Sequence, residues 1–152
     1  MSTKNRLILF LATGCYSGYC PIASGTAGSA VGLLPAVFLS TISLSSATIV
    51  CILFVMGSVW IADQAEQIIR QKDSGLIVID EIAGMMVTLL GLPFTFPMVL
   101  AGFLLFRVMD ILKPFPICYL ERKVPGGAGV VIDDVVAGVF CNIILRVAWM
   151  VL

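Results

Sequence analysis

Val78-Ile79-Asp80-Glu81-Ile82-Ala83-Gly84 sets two carboxylates side by side at the mouth of an apolar run. The last quarter of the chain carries a near copy, Val131-Ile132-Asp133-Asp134-Val135-Val136-Ala137-Gly138. A lone ionised carboxylate in apolar surroundings takes up a proton rather than stay charged. Two acidic pairs are easier to keep if something positive sits between them, and a hard divalent cation is the simplest choice. The competing reading is local: Asp and Glu suit the first turn of a helix, where they offset its dipole.

The apolar surroundings extend in both directions. The chain of 152 residues has the length of a single domain, residues 1–152. Hydrophobic residues make up 60% and charged residues 12%, and mean hydropathy is +1.10. Soluble domains carry roughly twice that charged fraction. No charged residue occurs between Arg6 and Asp63, nor between Glu81 and Arg107. Gaps of that kind predict a polytopic membrane protein. Nine basic residues balanced by nine acidic ones, with no dense basic cluster, argue against a nucleic-acid partner. The five cysteines are odd in number, lack any Cys-x-x-Cys, and have no histidine beside them. A structural zinc site is therefore not expected, and small buried thiols in a reducing compartment are.

Five apolar segments follow from the pattern: residues 30–39, 48–62, 82–92, 98–106 and 135–152. The second continues as a helix to about residue 71 and the fourth to Lys113. Residues 7–12 are too short to span or to serve as the core of a cleaved leader, and predict an interfacial helix. Residues 14–29 read as a loop rich in Gly, Ser and Thr. The expected fold class is all-α: a compact polytopic membrane helical bundle of about five apolar helices plus a short N-terminal interfacial helix. With the N-terminus in the cytoplasm, Lys4, Arg6, Arg70, Lys72, Arg107, Lys113, Arg122 and Lys123 share the cytoplasmic side, with every acidic residue. Only Arg146 falls towards the far side, where it could snorkel.

Three constellations carry the chemistry. Asp80, Glu81, Asp133 and Asp134, with Asp110 and Asp63 at the same expected depth, form a candidate metal site. Carboxylates alone select Mg²⁺, Ca²⁺ or Mn²⁺ rather than zinc. Gly25-Thr26-Ala27-Gly28-Ser29 could bring backbone N–H groups to a phosphate, or could be a flexible turn before a helix. It is not a Walker loop, because no Lys follows its last Gly. Arg107, Asp110 and Lys113, three apart, either put Asp110 on the metal and two cations on phosphate oxygens, or form an intrahelical ion pair at a solvated helix end. Without histidine there is no phosphohistidine route. Cys-x5-Arg and Asp-x-Asp-x-Thr are also absent, and the Asp spacing of the CDP-alcohol phosphotransferases is not matched. What remains is a carboxylate-bound cation that activates water and polarises a phosphoryl oxygen.

Four stretches together resemble the phosphatidylglycerophosphatase A family. They are residues 21–29, residues 73–84, the run Phe106-Arg107-Val108-Met109-Asp110-Ile111-Leu112-Lys113-Pro114-Phe115-Pro116, and residues 129–138. Ser24, Ser74 and Met109 depart from common family residues at shape and packing positions. The resemblance implies a Mg²⁺-dependent lipid phosphatase of the bacterial inner membrane, its active site facing the cytoplasm. It would convert phosphatidylglycerophosphate to phosphatidylglycerol and phosphate, with membrane lipid as substrate and the bilayer as partner. On that footing Asp80, Glu81 and Asp134 are the catalytic candidates, with Glu81 orienting or deprotonating water. Gly25, Thr26, Gly28, Ser29, Arg107 and Lys113 neutralise phosphate. A non-catalytic cation carrier and an interaction subunit of a lipid-synthesis complex are the alternatives.

Overall fold

The computed structural model describes residues 2–72, 74–115, 117, 119, 124 and 126–151. Expectations for Asp73, Cys118, Arg122 and Lys123 lie outside the described residues. Within them the chain forms six α-helices, a single 3₁₀ turn and no strand: α1 Thr3–Ala12, α2 Ser24–Ser40, α3 Leu44–Ile69, α4 Ile79–Leu89, α5 Phe96–Leu112 and α6 Gly127–Val151. The all-α class is as expected. Two helices, α3 with 26 residues and α6 with 25, are long and apolar enough to cross a membrane. The other apolar helix of note, α2, has 17 residues and α4 has 11, both short of the roughly 20 that span comfortably.

The first acidic stretch organises the packing. Nine of the eleven residues of α4 are buried, and α2, α3, α5 and α6 all pack on it. A helix apolar all round belongs in a core, and α4 is that core. It runs parallel to α6 with a constant offset of 54 residues: Asp80 lies by Asp134, Gly84 against Gly138, and the Thr88 carbonyl accepts from Asn142. The near copy in sequence is thus a repeat in space. The crossing point is made of glycine: a Cβ on Gly138 would come 2.5 Å from the Gly84 carbonyl oxygen. Small residues at a crossing let helix backbones approach closely.

On the opposite flank α2 lies against α4 through Gly28 and Gly32, where a Cβ would come 2.6 Å from Val78 Cβ and 2.9 Å from Met85 Cβ. This corrects the loop expected over residues 14–29, since α2 begins at Ser24. Glycine disfavours helix in isolation, and tertiary packing overrides that preference here. The second acidic pair likewise lies inside a helix, since α6 begins at Gly127.

Three further expectations change. Arg146 does not snorkel outward. Its Nε donates to Asn142 Oδ1 at 2.8 Å and its Nη2 to the Leu90 carbonyl at 2.9 Å. Asn142 Nδ2 lies 2.9 to 3.2 Å from the carbonyls of Val87, Thr88 and Leu90. These two side chains answer the orphan carbonyls that end α4, a demand stronger than that for solvent. Lys113 is not on the helical face of Arg107 and Asp110: α5 stops at Leu112, and Lys113 turns the chain in a left-handed conformation (φ 42°) before Pro114. Of the thiols, Cys51 and Cys141 are buried, whereas Cys15 and Cys20 are exposed in the turn after α1.

Asn142→Leu removes a donor shared by the Val87, Thr88 and Leu90 carbonyls and leaves that of Thr88 without one among the described residues. It is expected to destabilise the fold by about 1–3 kcal/mol in thermal unfolding.

Candidate metal centre and phosphate site

Asp80 and Glu81 occupy the first turn of α4, and Asp134 faces them from α6. One oxygen from each of these three carboxylates lies within 4.8 Å of the others. With the two helices aligned through their glycines, Asp80 matches Asp134. Glu81 then has Val135 as its counterpart, and Asp133 has Ile79. The doubled pair therefore yields a cluster of three, and Asp133 turns aside. Its Oδ2 accepts from Lys113 Nζ at 2.7 Å, a bond that ties the end of α5 to α6.

The cluster lines a cavity of about 530 Å³, with Asp110, Asp133, Lys72 and Lys113 also on its walls. Asp80 is 9% exposed and Asp134 3%. Asp80 Oδ1 and Glu81 Oε2 are buried without a hydrogen-bond partner among the described residues. Both lie outside the two helices long enough to cross a membrane. Burial pushes the Asp80 carboxyl well above the usual carboxylate range, and the charge of Glu81 adds to the rise. Burial also raises Glu81, against a hydrogen bond from Asp80 that lowers it. Acids so placed demand either protons or a cation. Three converging carboxylates with orphaned oxygens fit a hard divalent ion, which takes oxygen ligands.

The first turn of α2 supplies the adjoining wall. A Cβ on Gly25 would come 2.6 Å from Glu81 Oε1 and 3.0 Å from both Arg107 Nη atoms. Glycine here lets a carboxylate and a guanidinium lie side by side against helical backbone. Arg107 Nη1 donates to Asp110 Oδ2 at 2.6 Å and to Ser29 Oγ at 3.4 Å, and its Nε is buried without a partner among the described residues. Ser29 is fully buried and donates to the Gly25 carbonyl at 2.8 Å. Ala23, at the N-cap of α2, offers no side-chain cap to the first amides of the helix.

Other sequence candidates are placed elsewhere. Thr26 is exposed, and Gly28 packs on Val78 rather than facing the cavity. Asp63 does not line the cavity. Its Oδ1 accepts from the Gly127 N–H at 3.4 Å and its Oδ2 from Gln67 Nε2 at 3.0 Å, so it caps the start of α6. Lys72 and buried Ser74, neither of them a site candidate on sequence, line the cavity from the turn between α3 and α4. Their nearness in sequence to Asp80 was the available signal.

An all-helical fold with buried carboxylates clustered beside an arginine and a helix N-terminus has the parts of a metal-assisted phosphatase. The family model described as phosphatidylglycerophosphatase A matches residues 10–149. Phosphatidylglycerophosphatase A of Escherichia coli is 40% identical over 131 residues, covering 85% of this chain and 76% of that protein. Its namesake in Haemophilus influenzae is 36% identical over 140 residues, covering 91% and 86%. A Bacteroides thetaiotaomicron protein provisionally named phosphatidylinositol-3-phosphatase is 34% identical over 164 residues, covering 99% of each. No solved structure matches the chain. The chain belongs to the phosphatidylglycerophosphatase A family, and with it to the lipid phosphate phosphatases.

Proposed function

We propose that this protein hydrolyses phosphatidylglycerophosphate to phosphatidylglycerol and phosphate in glycerophospholipid synthesis. The observation that carries the reading is the triplet Asp80, Glu81 and Asp134, closed to within 4.8 Å and holding two orphaned oxygens. These three would hold Mg²⁺. When bound, such an ion polarises a phosphoryl oxygen and lowers the pKa of a water. Glu81, whose neighbours include both Asp80 and the Arg107 guanidinium, orients the attacking water and takes its proton. Arg107 and the first turn of α2 meet the phosphate oxygens, and Asp110 holds the guanidinium in place. Lys113 and Lys72 bring positive charge to the cavity wall.

We read the chain as a polytopic protein of the bacterial inner membrane, with the acidic cavity on the cytoplasmic side. Arg70, Lys72, Arg107 and Lys113 fall near the acidic end of α4, and the uncharged connections 41–43 and 90–95 fall near its other end. The carboxylates gather at one end of α4 rather than at its middle, which favours a lipid-headgroup phosphatase over a cation carrier. Phosphate release from purified protein tests this reading. Activity should vanish in EDTA and return with Mg²⁺ but not Zn²⁺, and phosphatidylglycerophosphate should outpace phosphatidylinositol 3-phosphate. Chelator-insensitive turnover, or a preference for the inositol lipid, overturns it.

Gly25→Ala sets a methyl group between Glu81 and Arg107. It is expected to cut kcat about a hundredfold while the helices still form, since misplacement of about 1 Å suffices for such a loss.

The raised carboxyls give a pH signature. A group whose pKa is higher folded than unfolded stabilises the fold below its unfolded value, and that stability is lost as pH rises through the folded value. Protein stripped with EDTA should therefore melt at a lower temperature at neutral than at acid pH, through Asp80 and Glu81. Saturating Mg²⁺ should remove the slope. A metal-free melting temperature that rises from acid to neutral pH contradicts the assignment.

A further inference from the structure

The end of α4 remote from the acids holds a second feature that the phosphatase chemistry does not use. A cavity of about 390 Å³ opens there between α2, α3 and α6, with Arg146 and Trp149 on its wall. It shares Leu44 and Arg146 with a hollow of about 290 Å³. That hollow shares Thr48, Val87, Leu90 and Val139 with a third, of about 280 Å³, which ends at Val135. The three lie in succession along α3, α4 and α6, joined by the side chains they share. From Val135 to Arg146 they follow α6 for about 16 Å, at 1.5 Å per residue.

Their chemistry is graded. The stretch near Val135 is lined by apolar side chains apart from Thr48 and Cys51, and its rim carries exposed Ile52 and Met56. At the far end stands Arg146, the one charged side chain lining any of the three hollows among the described residues. Two of its donors go to Asn142 and the Leu90 carbonyl. A guanidinium has five, and among the described residues the other three meet no acceptor. Trp149, half exposed beside it, is a residue type that settles at the headgroup level of bilayers.

We infer that the three form a trough that binds an anionic phospholipid, its phosphate on Arg146 and one acyl chain laid along α3, α4 and α6 towards Val135. Charge complementarity selects the headgroup, and the apolar floor of the trough takes the chain. The lipid is not the substrate, because this trough shares no lining residue with the acidic cavity. The inference rests on the membrane reading above and not on the reaction. Its test reads binding alone, so a failed phosphatase assignment leaves that test intact.

The full chain in neutral detergent is melted with dioleoylphosphatidylglycerol, with dioleoylphosphatidylcholine, and with inorganic phosphate. Phosphatidylglycerol should raise the melting temperature by about 5 °C, as a ligand of the folded state does, and the other two by far less. Arg146→Gln should abolish the rise, and Glu81→Gln should keep it. Ile52→Trp fills the trough from an exposed position and leaves the Arg146 hydrogen bonds alone, so it too should abolish the rise, even if Arg146→Gln fails to fold. Equal rises with phosphatidylcholine or inorganic phosphate, loss of the rise in Glu81→Gln, or a full rise in Ile52→Trp each overturn the inference.

Discussion

Asp134→Asn is expected to lower phosphate release about a thousandfold or more, because in the proposed mechanism it removes one of three converging ligands for the cation on which attack depends. Asp80→Asn should do the same. The metal-free fold should respond in the opposite direction. Asp80 and Asp134 are buried acids crowded by other acids, and an amide of the same shape relieves that crowding. Both variants should therefore melt no lower than wild type in EDTA. Mg²⁺ should raise the melting temperature of wild type and leave the variants unmoved. Activity assays and melts on the same preparations separate a lost ligand from a lost fold. Near-normal turnover in both variants removes the metal centre, and a collapsed metal-free fold shows instead that these residues serve structure.

The second large effect lies at the helix crossing. Gly138→Ala places a methyl group 2.5 Å from the Gly84 carbonyl oxygen and 3.1 Å from Val87 Cβ. A backbone oxygen inside a helix cannot step aside, so α4 and α6 must separate. Overpacking of this kind costs about 3 kcal/mol. It also draws Asp134 away from Asp80 and Glu81, and activity should fall about a hundredfold even at temperatures where the variant is folded. Gly57→Ala is the control. Nothing lies within 4 Å of a Cβ there, so helix propensity alone acts and stability should rise by up to about 1 kcal/mol. Similar outcomes for the two alanines would mean that the crossing is not held by glycine.

The acidic stretches were legible because burying charge is costly: Asp80, Glu81 and Asp134 stand out in apolar sequence, and their repetition marked the two helices that bring them together. The all-α class followed from hydropathy. The start of α2 did not, because Ser24, Gly25 and Gly28 carry the composition of a loop, and only the close approach to α4 explains glycine in a helix. Charge and expected depth make Asp63 a candidate ligand, whereas its contact with the Gly127 N–H depends on how α3 meets α6. Spacing put Lys113 on the face of Arg107 and Asp110. A left-handed lysine cannot be read from periodicity, and it is this turn that sends Lys113 to Asp133. Arg146 was judged by depth, but the carbonyls it serves lie in another helix.

Binding of Mn²⁺, followed by electron paramagnetic resonance in a titration of the purified chain, reports on the carboxylate triplet without passing through turnover. Wild type should take up Mn²⁺ stoichiometrically and release it to excess Mg²⁺, and Asp80→Asn and Asp134→Asn should each bind about a hundredfold more weakly or worse. Undiminished Mn²⁺ affinity in both variants would show that these carboxylates hold no ion.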